Sequence, residues 1–149
     1  MLKDLNYLFQ RDLTRLRSEL EAYENEEDLW KVSGQIANSG GTLAVHLCGN
    51  LRAFIGKEIG EFDYVRDREF EFSGKPVKRE EIYQWIDESS KWVEESLKKL
   101  EGENLDRDFP IQPFPQKITY QNFLLHLYGH LNYHLGQINY HRRLIGQLK

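Results

Sequence analysis

A chain of 149 residues, 40% of them hydrophobic and 13% aromatic, can bury one core without covalent staples, and 30% charged residues suit a water-exposed surface. Its single cysteine, Cys48, rules out an intramolecular disulfide and a cysteine-rich zinc framework, and fits a reducing compartment. A net charge of −4 supplies no basic field for phosphates, which argues against nucleic-acid binding, and no stretch has the apolar continuity of a signal peptide or membrane span, so a cytoplasmic protein without membrane contact is expected.

Leu2, Leu5, Phe9, Leu13, Leu16, Leu20 and Tyr23 recur every three or four residues and predict a first amphipathic helix. An acidic stretch from Glu24 leads to Asn38, Ser39, Gly40 and Gly41, which break regular structure and can cap the next helix. Leu43, Leu47, Leu51 and Phe54 mark that second helix, ending near Gly56 to Gly60. Residues 61–76 form a charged crossover in which Phe70 and Phe72 alternate briefly. A third helix runs from Glu80 and Glu81, favoured in the first turn by the helix dipole, to about Leu100–Gly102. Three prolines between Phe109 and Pro115 forbid a helix there and predict an extended tether across the bundle end. The fourth helix spans Thr119 to Gln147. Four amphipathic helices, long connections after the second and third, and no paired strands predict one all-α, four-helix-bundle domain over residues 1–149.

Four of the five histidines lie in the fourth helix, on one side of it: His126, His130, His134 and His141. At about 100° per residue with His130 at zero, Tyr120, Leu127, Leu131, Leu135, Ile138 and Ile145 centre near roughly 80°, the core direction. His134 stands about 40° from that centre, His130 about 80° and His126 about 120°, so His130 and His134 border the core. Histidines four apart reach one ion from successive turns. In the second helix, His46 and Asn50 hold the same relation to their apolar stripe. Three imidazoles from two helices leave a coordination position open to water or substrate, whereas the plainer reading makes each a hydrogen-bonded boundary residue.

The segments GGTLAVHLCGNLRAFI at residues 40–55 and HLNYHLGQI at 130–138 resemble the DinB/YfiT-like metal-binding four-helix bundles over most of the chain. The resemblance implies a divalent ion, nickel or zinc, on His46, His130 and His134. It also implies a homodimer and, in some members, a thiol S-transferase or isomerase that uses a low-molecular-weight thiol. Cys48, about 200° of helical rotation beyond His46, faces away from the ligands and reads as a packing residue. Gln137 could fix the tautomer of a ligand imidazole or merely pack; Asn50 has the same two readings. His126 is an additional ligand or a boundary residue, and His141 faces solvent or a partner chain. Gly129, Tyr133, Gly136 and Tyr140 form a separate face, for a second chain or for the proline-rich loop.

Two functions are expected on this basis. In one, a metal-dependent enzyme, a transferase or hydrolase, activates a thiol or water toward an electrophilic substrate; no carboxylate occupies a recognisable motif position as general base. In the other, a metal-binding or stress-related scaffold uses the ion without turnover.

Overall fold

The computed structural model describes residues 1–148, and all of its regular elements are helical. Helix α1 covers Leu2–Glu21, and its stripe Leu5, Phe9, Leu13, Leu16 and Leu20 is buried as the spacing requires. Asp12 lies inside that stripe, completely buried. A charge so placed must be paired: its carboxylate accepts from Arg11 Nε at 2.9 Å, Arg15 Nη1 at 3.2 Å and the Tyr128 hydroxyl at 2.7 Å, which ties α1 to the last helix.

A 3-10 turn at Glu26–Trp30 interrupts the acidic connection. Helix α2, Gly40–Leu51, begins where the Ser39 hydroxyl accepts from the Thr42 backbone N–H at 3.2 Å. All twelve of its residues are buried, Thr42, His46 and Asn50 included, so the helix is enclosed on every side and not amphipathic as its leucine stripe predicts. Beyond Leu51 the chain continues as a π-helical segment, Arg52–Lys57. The second helix therefore reaches its expected end near Gly56 only by changing hydrogen-bond register. A side chain at Gly56 would strike the ring of Trp92, so glycine lets the third long helix approach.

Within the crossover, Arg68–Glu71 form a short helix, α3, capped by Asp67 Oδ1, which accepts from Phe70 N at 3.0 Å. Helix α4 spans Arg79–Lys99 with Glu80 and Glu81 in its first turn, and α5 spans Tyr120–Ile145 behind the Thr119 cap. Helix α1 packs along α4 and α5, and α2 packs along the same two. The four long helices thus share one core.

The segment before α5 is not the extended tether its prolines predict but a loop that doubles back, with Phe109 N–H donating to the Ile118 carbonyl at 2.9 Å and the Gln112 side chain closing the turn onto Ile118. It is anchored by Phe109, whose buried ring meets Phe123 at 4.6 Å and Tyr120 at 5.0 Å between centroids. An isolated antiparallel bridge joins Asp108 to Thr119; among the described residues there is no strand. No helix among them is long and apolar enough to cross a membrane.

Candidate metal centre

His46 projects from the middle of buried α2, and His130 and His134 project from successive turns of α5 packed against it. The one potential ligand atom that each offers lies within 4.8 Å of the other two. Ring centroids are 5.0 Å apart for His46 and His130, 5.3 Å for His46 and His134, and 4.6 Å for His130 and His134. The structure brings together the three histidines that helical phase singles out.

The orientation of each ring has a visible cause. His46 Nδ1 donates to Glu71 Oε1 at 3.0 Å, and His134 Nδ1 donates to Gln137 Oε1 at 2.7 Å. Both leave Nε2 as the lone-pair nitrogen, the arrangement in which an outer hydrogen bond fixes a ligand imidazole. Glu71 is itself clamped, accepting from Arg66 Nε and Nη2, each at 2.9 Å. Burial pushes the Glu71 carboxyl up, but the hydrogen bonds from His46 and Arg66 outweigh it and hold the pKa below its ordinary value.

Nε2 of His46 and Nε2 of His130 face each other at 3.1 Å. Two nitrogens bound to one ion at about 2.0–2.1 Å, at a right or tetrahedral angle, stand roughly 2.9–3.4 Å apart, so the observed spacing suits a shared ion. His130 Nδ1 is buried without a partner among the described residues. If Nε2 carries the ring proton, Nδ1 is left as a buried lone pair; if Nδ1 carries it, two lone pairs confront each other across 3.1 Å. A cation between the two Nε2 atoms resolves the second case. Burial, followed by the neighbouring histidines His134 and His46, lowers His130 to about 4, and burial likewise lowers His134. Both rings are therefore neutral near pH 7, as metal ligation requires. The donor set fits a divalent ion.

Compared with known protein families, residues 5–148 match the one described as "Protein of unknown function (DUF1572)". The chain belongs to the DUF1572 family. Searches of the curated proteins and of the solved structures find no match. The match to the DUF1572 family takes in all three histidines together with Glu71 and Gln137.

Several expectations change. A carboxylate does stand at the centre: Glu71, 25 positions from His46, is hidden in the sequence because the crossover reads as a charged link. The signal that points to it is Gly49, one turn after His46, where any Cβ would run into the Glu71 carboxylate. His126 is exposed and packs on Phe114 at 4.9 Å, 6.4 Å between centroids from His130, outside the triad. His141 faces neither solvent nor a partner: it is buried, with Nδ1 accepting from the Tyr23 hydroxyl and Nε2 donating to the Lys31 carbonyl, both at 2.7 Å. Cys48 is fully buried, and burial pushes its thiol up to about 12, which suits a packing role. Asn50 is buried with Oδ1 unpartnered among the described residues. Tyr133 and Tyr140 are 66% and 73% exposed, so the proline-rich loop does not cover that face.

Proposed function

We propose that this chain is a four-helix bundle of the DinB/YfiT-like type that binds one divalent ion, zinc or nickel, through His46, His130 and His134, and serves as a metal-dependent thiol S-transferase. The observation that carries this reading is the pair of facing imidazole nitrogens at 3.1 Å, of which His46 is fixed by a carboxylate behind it. When bound, such an ion would lower the pKa of a thiol or water in its open position. The residues supply the rest. Glu71 holds the His46 ring, Gln137 holds the His134 ring, and Arg66 keeps Glu71 ionised.

Two cavities flank the centre. One, of about 740 Å³, includes Leu43, Tyr133, His134 and Gln137; the other, of about 350 Å³, includes His46, Asn50 and His130. A reaction between a thiol and an electrophile needs two approaches, and these cavities offer them. The exposed face of α5 that carries Tyr133 and Tyr140 supports a homodimer, because Gly129 and Gly136 leave open space for a second backbone; since both tyrosines line the larger cavity, the second chain would form part of its wall.

Elemental analysis of tag-free protein tests the metal assignment: about one ion per chain is expected in the wild type and none in the His46→Ala, His130→Ala, His134→Ala triple variant. Transfer assays with a panel of low-molecular-weight thiols and electrophiles test the reaction. Activity that survives His130→Ala undiminished rejects the enzyme and leaves the metal-binding scaffold.

A further inference from the structure

We infer that the smaller cavity beside the triad binds the carboxylate of a compact organic acid, with Arg68 as its charge partner. This names a substrate class for the centre proposed above and rests on that reading for what the bound acid would meet.

The cavity of about 350 Å³ lies at the lower end of the range for small-molecule sites. His46 and His130 line it, and Phe54, Phe114 and Phe123 give it an aromatic wall. Phe123 lies 5.0 Å from Phe54 and 6.0 Å from Phe114 between centroids, edge to face. Such a wall suits a flat or apolar body.

The polar side selects the sign of the ligand. Arg66 and Arg68 both line the cavity, but both hydrogen-bonding edges of Glu71 are committed to Arg66. Arg68 is exposed, lies over the Phe72 ring at 4.9 Å, and has no ion pair among the described residues. Asp67, its neighbour, is engaged in capping α3. In the metal-free chain, the two guanidiniums that line the cavity against the one carboxylate paired with them leave one unmatched positive charge, which a single carboxylate balances and a dianion overshoots.

Asn50 adds an independent indication. It lines the same cavity, is only 6% exposed, and its Oδ1 finds no partner among the described residues. A buried amide oxygen in this state calls for a hydrogen-bond donor, from water or from a ligand. Its oxygen is an acceptor, so what it lacks is a donor, such as a hydroxyl carried by the acid beside its carboxylate.

Benzoate, benzamide and inorganic phosphate are the probes, titrated into the full chain by calorimetry in metal-free and zinc-loaded forms. Saturable benzoate binding is expected in the metal-free chain, with benzamide and phosphate at least about tenfold weaker there. Arg68→Ala should weaken benzoate by about tenfold or more, Arg68→Lys should restore part of the loss, and thermal unfolding should stay at the wild-type temperature because Arg68 is exposed. In the metal-free chain, equal binding of benzoate and benzamide, phosphate competing as well as benzoate, full affinity in Arg68→Ala, or no saturation by about 10 mM each overturns the inference. Zinc stoichiometry on the same samples separates the two readings. A chain that binds zinc but not benzoate defeats only the acid site, whereas one that binds benzoate but not zinc defeats the metal centre and leaves the acid site standing.

Discussion

Replacing Glu71 by glutamine removes a charge while keeping the shape of the side chain. In the native site one carboxylate oxygen accepts from His46 Nδ1 at 3.0 Å and Arg66 Nη2 at 2.9 Å, and the other accepts from Arg66 Nε at 2.9 Å. Glutamine offers a single acceptor oxygen, so its amide N–H₂ confronts Arg66 Nε in one orientation and both His46 Nδ1 and Arg66 Nη2 in the other, donor against donor. Loss of an outer partner of a ligand histidine typically weakens metal binding about 10–100-fold, or roughly 1.4–2.7 kcal/mol. The fold should weaken as well, by about 1–3 kcal/mol, because Glu71 is buried and its donors lose their acceptor. Zinc titration against a chromophoric chelator at pH 7 measures the first effect, and urea denaturation of the metal-free chain measures the second. A folded Glu71→Gln protein that binds zinc within about twofold of wild type would refute the assignment of Glu71 as the group that positions His46.

Further outcomes rest on the same geometry. Gly49→Ala should weaken zinc binding in the same direction as Glu71→Gln, although alanine in a helix interior is ordinarily favoured over glycine by about 1 kcal/mol, because the new Cβ displaces the Glu71 carboxylate; a stabilised Gly49→Ala protein with native zinc affinity contradicts this. The metal-free chain should be less stable at pH 5 than at pH 7. His130 has a folded pKa of about 4 against an ordinary 6.5, so the unfolded state binds the extra proton and stability falls as pH drops from about 6.5 to about 4. Melting curves should show part of this dependence missing in His130→Gln, and identical pH profiles for the two proteins argue against it. Ser39→Ala removes the cap of α2 and should cost about 1 kcal/mol in urea titrations. Tyr140→Glu, on the exposed face of α5, should convert a dimer to a monomer in light scattering without lowering zinc stoichiometry.

Local periodicity made the helices and the triad legible because each depends on residues within a few turns. His46, His130 and His134 declare themselves by their angle to Leu43, Leu47, Leu131 and Leu135, and Gln137 by its place on the same stripe. The features that escaped are set by distant segments. His141 lies on the same side of α5 as the other histidines, but Tyr23 and Lys31, more than a hundred positions away, fold over it. Glu71 belongs to a short helix that forms where Asp67 caps it, and no apolar period announces four residues. Asp12 breaks the α1 stripe as written, yet it is the partner that Arg11, Arg15 and Tyr128 share.

The complete burial of α2 makes the two halves of the triad unequal in time. Every residue from Gly40 to Leu51 is buried, so its backbone amides exchange with water only when most of the fold opens. Helix α5 exposes Gly129, Tyr133, Gly136 and Tyr140 along its outer side, and turns of that kind open at lower free energy. His46 is accordingly the fixed post of the centre and His130 and His134 the movable ones, so the lifetime of anything held among the three would track the local opening of α5, not the global unfolding of the chain.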